Sequence, residues 1–158
     1  MLFRSQLAKA FGAHVTAVCS AGAVDAVRSL GADCVMDYTA ADFRVTDQYD
    51  LILDVSATLP IAQCKRALNP GGICVVAGYS GIRHLIAVSL GGKSIVMLMA
   101  DNTRQNDLLV LNELYETGKI KPLIDSSYPL TETAQALRRV ETGHPKGKVV
   151  IRIGSFSE

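Results

Sequence analysis

At 158 residues the chain has the length of one domain, enough to bury roughly two-thirds of the surface its unfolded form exposes. Sixteen basic against fifteen acidic residues leave a net charge of +1 with no block of one sign, which argues against nucleic acid and an anionic membrane as partners. Apolar runs break well short of the ~18 residues needed to span a bilayer, and Met1–Ser5 is too short for a signal peptide, so a cytoplasmic protein is the default expectation.

QLAKAFG reads as the last turns of a helix, with Leu7, Ala10 and Phe11 on its buried side and Gly12 as its stop. His14–Ser20 is a short apolar, β-branched run of the kind that makes a strand buried on both faces, which implies a parallel sheet covered by helices. Ala23, Val24, Val27 and Leu30 then fall at helical spacing, Gly31 ends that helix, and Cys34–Tyr38 is a second strand. Strand, helix and strand with short connections form one βαβ crossover of a doubly wound α/β sheet.

The alternation continues. Thr39–Gln48 is a polar loop or short helix, Tyr49–Ser56 a strong strand, and Leu59–Leu68 a helix with Ile61, Cys64, Ala67 and Leu68 facing inward. Asn69-Pro70-Gly71-Gly72 is a turn cluster before the buried strand Ile73–Tyr79. Gly81–Gly92 is mixed, and Ser94–Ala100 is another apolar strand. Asp101–Thr117 is helical, with Leu108, Leu111, Leu114 and Tyr115 toward the core and Gly118 as its stop. Lys119–Pro129 carries two prolines, which suits an edge strand. Thr131 is a helix N-cap with Leu130 before it, Ala134, Leu137 and Val140 are the buried stripe, and Lys148–Ile153 is the last strand. Cys19, Cys34, Cys64 and Cys74 show no CxxC spacing and read as reduced core residues. His14, His84 and His144 also lack ligand spacing, so no metal site is expected.

These segments carry a resemblance. QLAKAFGAHVTAVCS, VRSLGADCVMDYTAADF, YDLILDV, RALNPGG, ELYETGKIKPLID and YPLTETAQALRRVETGHPKGKVVI are together similar, in order and spacing, to the C-terminal cofactor-binding half of the medium-chain dehydrogenase/reductases, within these to the zinc-independent quinone oxidoreductase branch. The resemblance implies a Rossmann-like domain that binds NADPH or NADH for hydride transfer to or from a carbonyl, enone or quinone. A complete member has, upstream, a GroES-like substrate domain and a first strand with a glycine-rich turn. Neither precedes Gln6, so the chain is expected to be a single, partial NAD(P)-binding domain, starting inside its fold and weak or inactive alone. In the usual strand order the first strand lies between His14–Ser20 and Tyr49–Ser56. Those two are therefore expected either to close up and pair directly or to leave a gap between them, with the pairing of Val15–Val18 deciding.

The resemblance also implies the site. Where an NAD-preferring protein has an acid for the ribose 2′-hydroxyl, this chain has Cys19-Ser20-Ala21-Gly22, so nothing repels a 2′-phosphate and NADP(H) is favoured over NAD(H). In similar proteins a basic residue follows the serine; Ala21–Ala23 provides none. Ser20 is expected to donate to the phosphate and Tyr38 to close over it, or else Ser20 merely starts the next helix and Tyr38 is a strand end. Val55 and Ser56 are expected beside the ribose, Gly78 and Tyr79 beside the nicotinamide, and Asn102 and Lys148 near the cofactor. Gly78 reads equally as a turn residue, Asn102 as a helix cap and Lys148 as a solvated strand end. Asp54 is read as holding neighbouring backbone N–H groups, not as a catalytic acid, and no catalytic residue is named. Homodimerisation through the strand Ser94–Ala100 is a further expectation. Two alternatives stand beside the reductase: a dimerisation or interaction module, and a methyltransferase using S-adenosylmethionine, since RALNPGGICVVAG resembles a strand-edge signature of those enzymes.

Overall fold

The first crossover forms where the apolar period changes. Strand β1 (Thr16–Cys19) pairs in parallel with β2 (Cys34–Asp37), Thr16 opposite Cys34 and Cys19 opposite Asp37. Between them a 3-10 turn over Ala21–Ala23 leads into helix α2 (Val24–Ser29), and Gly31 takes the left-handed conformation, φ 91°, that ends it. Val27, at 2 % exposure, packs with Ala17, Cys19 and Ala32 into one core cluster. Burying such a valine stabilises the fold by about 1.5–3 kcal/mol.

The computed structural model describes residues 2–40, 48–57, 59–78, 81, 86, 88–98, 105–143 and 145–154. Its chain divides into two compact units: Met1–Phe43 with Gln105–Glu158, and Arg44–Arg104. Among the described residues every strand pair is parallel, in sheets ordered β1-β2, β3-β4-β5 and β6-β7. Strand β1 lies in the first of these units and β3 (Tyr49–Asp54) in the second. None of the described helices is long and apolar enough to cross a membrane.

In the first unit, helix α1 (Leu2–Ala10) departs from its periodicity: Phe11 is 73 % exposed and Gln6 is buried at 5 %. The reason is a reciprocal pair of hydrogen bonds. Gln6 Nε2 donates to the Lys121 carbonyl at 2.9 Å, and the Lys121 N–H donates to Gln6 Oε1 at 2.6 Å. A buried carboxamide satisfied at both ends outweighs placing an aromatic inward. Asp33 ties the other end of the helix down, accepting from Lys9 Nζ at 2.9 Å and from the Val15 N–H at 2.7 Å.

Helix α4 (Gln105–Glu116) buries only Leu114 of its expected stripe, while Leu108 and Tyr115 are each 56 % exposed. Its apolar face instead lines a shallow groove with Leu7, Ile120 and Pro122. Strand β6 (Ile124–Pro129) pairs with β7 (Lys148–Arg152), and among the described residues it is an edge, which suits the proline that ends it. Thr131 is not an N-cap: Leu130–Glu132 is a 3-10 turn, and helix α5 begins at Thr133 and runs to Glu141. Its buried stripe is rotated too. Ala136 is the buried residue, whereas Leu137 and Val140 are more than half exposed. The cause is Arg139, three residues beyond Ala136 and so on the same face, which is drawn inward by a bidentate pair with Asp125. Cys34 is exposed at the start of β2, while the other three cysteines are buried, and all four are free.

In the second unit, β3, β4 (Leu68–Val76) and β5 (Ile95–Met97) are crossed by helix α3 (Ile61–Ala67). Cys64, Leu68, Cys74, Val76 and Ile95 form its core. The thiols of Cys64 and Cys74 share a hydrogen bond there, which with burial pushes Cys74 up. The Asn69-Pro70-Gly71-Gly72 turn is absorbed into β4 as an irregularity: Tyr49 pairs with Leu68, but Leu51 already pairs with Ile73. The loop folds back so tightly that a Cβ on Gly72 would lie 2.8 Å from the Tyr49 carbonyl oxygen and 3.0 Å from that of Asn69. Both are backbone atoms held by the ladder. Gly72→Ala is therefore expected to destabilise the protein by about 1–3 kcal/mol, read as a lower urea midpoint with unchanged slope.

Candidate functional site

In open α/β sheets ligands bind beyond the carboxyl ends of the strands. Three of the sequence candidates gather at such a place. Ser20, just after β1, Tyr38, just after β2, and Lys148, the first residue of β7, line one cleft of about 410 Å³ in the first unit. Cys19, Arg4, Lys146 and Gly147 complete its polar and strand-end lining.

Ser20 starts the turn after β1 with its backbone, the Ala23 N–H donating to the Ser20 carbonyl at 2.9 Å, but its hydroxyl makes no cap hydrogen bond. Both readings of this residue thus hold in part: the main chain starts the helix, and the side chain is left for the cleft. Tyr38 is 55 % exposed. Burial, with a contribution from the Asp37 carboxylate, pushes the Cys19 thiol up, so it stays protonated at neutral pH and adds no charge. Asp37, the last residue of β2, precedes the cleft residue Tyr38, and the sequence pattern did not single it out. It accepts from the Thr39 hydroxyl at 2.6 Å, from the Thr39 N–H at 2.8 Å and from the Ala21 N–H, and these bonds lower its pKa.

Val55, Ser56 and Gly78 lie in the second unit, after β3 and β4. A Cβ on Gly78 would stand 2.5 Å from the Val55 carbonyl oxygen. Close approach of one backbone to another already requires glycine there. Ser56 Oγ donates to Asp54 Oδ1 at 3.2 Å, and the Leu59 N–H donates to Asp54 Oδ2 at 3.0 Å. Asp54, 8 % exposed, thus organises the loop after β3, as its reading as a holder of backbone N–H groups expects. The next residue but two, Ala57, is buried with φ 53°, a strained conformation for a residue with a Cβ. Tyr79 and Asn102 lie outside the described residues.

Residues 30–151 match the family described as zinc-binding dehydrogenase. The chain belongs to that family. This is the C-terminal part of the medium-chain dehydrogenase/reductases that the sequence resembles, and it speaks against the methyltransferase alternative. The chain is 31 % identical over 179 aligned positions to the bovine (Bos taurus) mitochondrial NAD(P)H oxidoreductase RTN4IP1, covering 96 % of this chain and 44 % of that protein. It is 34 % identical over 152 positions to a chloroplastic NADPH-dependent alkenal/one oxidoreductase of Arabidopsis thaliana, covering 92 % of this chain and 36 % of that protein. The quinone oxidoreductase of Coxiella burnetii superposes with a TM-score of 0.79 at 24 % identity, over 96 % of this chain and 49 % of that one, a likeness of fold. The chain thus spans less than half the length of the curated relatives it matches. Among the described residues of this chain, no three His, Cys, Asp or Glu side chains are grouped as a metal ion would need.

The cleft of this family member depends on how its far wall is held. Asp125, its side chain 6 % exposed, accepts from Arg139 Nη2 at 2.6 Å and Nε at 2.8 Å, and from the Lys146 N–H at 2.8 Å. The Arg139 guanidinium first, and then that N–H, hold the Asp125 carboxyl well below the usual carboxylate range. Because the folded carboxyl is the stronger acid, its contribution is fully present above the unfolded value of about 4 and is lost as the pH falls below it. Arg139→Met removes most of that dependence. The variant's urea midpoint is expected to lie well below the wild type at pH 7, with the difference narrowing steadily as the pH falls below about 4.

Proposed function

We propose that the chain is the cofactor-binding part of an NAD(P)H-dependent oxidoreductase that transfers hydride to or from a quinone, enone or other carbonyl. Both units would serve one Rossmann-like domain, with a further, GroES-like domain supplying the second wall of the substrate pocket. On that reading the chain alone has little or no turnover, because little in it orients a substrate or excludes water. The observation that carries the reading is the gathering of Ser20, Tyr38 and Lys148 on one cleft after β1 and β2.

The cleft fits the phosphate-bearing end of a dinucleotide. Arg4, Lys146 and Lys148 bring positive charge, Ser20 brings a hydroxyl that caps nothing, Tyr38 brings an exposed ring, and no carboxylate lies on the lining. A dianionic phosphate is stabilised by such cations and donors, whereas an acid there would repel it. NADPH is accordingly the preferred cofactor. When bound, the dinucleotide supplies the hydride. The first unit's own residues position it: Ser20 and Lys148 hold the phosphate, and Tyr38 covers the adenosine end. The relatives' names, which specify NAD(P)H or NADPH, support a nicotinamide cofactor.

Homodimerisation belongs to the same proposal. Strand β5 has one edge that pairs with no described strand, and Val96 on it is 44 % exposed, which suits pairing with a second copy.

Calorimetric titration with NADPH and NADH tests the reading. Saturable binding of NADPH, at least about tenfold (~1.4 kcal/mol) tighter than NADH, is expected. Ser20→Asp should reverse that order by weakening NADPH about tenfold or more while leaving NADH bound. Binding of neither cofactor by the wild-type chain would overturn the reading.

A further inference from the structure

We propose that Cys64 and Cys74 form a peroxide-responsive latch in the second unit, closing to a disulfide that ties helix α3 to strand β4. The two residues meet in that unit's core: Cys64 comes from α3 and Cys74 from β4, and both are at 0 % exposure. Their thiols share a hydrogen bond, and Cys64 Sγ also donates to the Leu59 carbonyl at 4.0 Å. A disulfide needs these sulfurs only to close from hydrogen-bond contact to bonding distance. The other two cysteines have no such arrangement, since Cys19 and Cys34 lie in the first unit at opposite ends of the β1–β2 ladder.

The surroundings give the two sulfurs different parts. Cys74 sits on the central strand of its sheet, opposite Ile52 on one side and Ile95 on the other, so it is held. Helix α3 is seven residues long, its Pro60 N-cap makes no side-chain cap hydrogen bond, and the loop leading to it carries the strained Ala57 at φ 53°. Such a helix opens locally at lower cost than the sheet it packs on, and its opening brings Cys64 toward solvent. While the thiols are in contact, the hydrogen bond with Cys74 lowers the Cys64 pKa against the opposing effect of burial, and the same bond, with burial, raises Cys74. Cys64 is therefore the sulfur that attacks an oxidant, and Cys74 the one that resolves the product.

With hydrogen peroxide as oxidant the steps balance. The Cys64 sulfur takes one peroxide oxygen as the O–O bond breaks, and its proton leaves with the other oxygen as water, giving a sulfenic acid. On reclosure of α3 the Cys74 sulfur displaces that oxygen, which departs with the Cys74 proton as a second water. The sulfurs together lose two electrons and the peroxide gains them. The helix, held until then by burial, becomes covalently fixed to the strand.

The test is treatment of the full 158-residue chain with hydrogen peroxide in the absence of urea, followed by alkylation and tryptic mapping. Trypsin cuts at Lys65 and Arg66, between the two cysteines, so a disulfide joins two separate peptides. The expected product is the Cys64–Cys74 linked pair, formed more slowly than the exposed Cys34 is oxidised and released by dithiothreitol. The oxidised chain is expected to have a higher urea midpoint than the reduced one, and dithiothreitol should return it. Cys64→Ala and Cys74→Ala should each abolish that rise; the peptide map of the wild type decides the pairing without either variant. Cys64 and Cys74 both remaining open to alkylation in denaturant after Cys34 is fully oxidised, linkage to Cys19 or Cys34 instead, or a linked pair that forms only in urea would overturn the latch. So would an oxidised chain whose midpoint is unchanged or lower.

Discussion

The first unit depends on one carboxylate. Asp125 sits at the start of β6, and everything that reaches it becomes fixed: α5 through the two guanidinium nitrogens of Arg139, and the loop before β7 through the Lys146 N–H. A nearly buried carboxylate costs several kcal/mol to desolvate unless it is paired and hydrogen-bonded. Here it is both, so its removal would take away the carboxylate partner of the Arg139 guanidinium and the acceptor of the Lys146 N–H. The rotation of α5 away from its apolar stripe follows from the same requirement. Exposing Leu137 and Val140 costs less than leaving this charge without its partner.

That constraint carries through to the cleft. Gly147 is squeezed against Leu123, and the Lys148 N–H bonds to the same carbonyl, so the entry into β7 has one available path. Lys146 and Lys148 alternate along it, on either side of the glycine. Neither cation spends its side chain on an ion pair among the described residues. The electrostatic character of the cleft is thus set by backbone geometry around Asp125, more than a hundred residues along the chain from β1.

Most of the elements were legible from residue spacing, because β1, α2, β3, α3 and β7 owe their existence to short apolar runs punctuated by glycine or a turn. The departures have physical causes that spacing does not encode. Gln6 replaces Phe11 as the buried side chain of α1 because both groups of its carboxamide find the Lys121 backbone, a partner more than a hundred residues away. Thr131 loses its role as a cap because the chain tightens into a 3-10 turn there, and Thr133 Oγ1 donates to the Leu130 carbonyl at 2.6 Å instead. Asn69–Gly72 reads as a turn, and it is one, but one that β4 accommodates without ending. In the candidate site, Ser20 and Tyr38 could be named because their segments follow strand ends, where ligands bind, and Lys148, which opens β7, because of the family resemblance. Arg4, Lys146 and Asp37 could not, since each acts through space on a segment to which it is not adjacent in sequence.

Asp37 shows why a strand-end acid does not by itself mark an NAD site. An acid that selects NAD must offer its lone pairs to the ribose 2′-hydroxyl. The Asp37 carboxylate already receives the Thr39 hydroxyl, the Thr39 N–H and the Ala21 N–H. Redirecting it toward a ribose would give up the bonds that hold it in place. Its carboxylate therefore holds the geometry of the β1 exit and acts on a ligand only through its charge. That charge falls off with distance and is opposed by the cations across the cleft. The charge of the cleft lining itself comes from Arg4, Lys146 and Lys148, which reach it from helix α1 and from the entry into β7. It is set by the fold of the unit as a whole, and no single residue after β1 carries it.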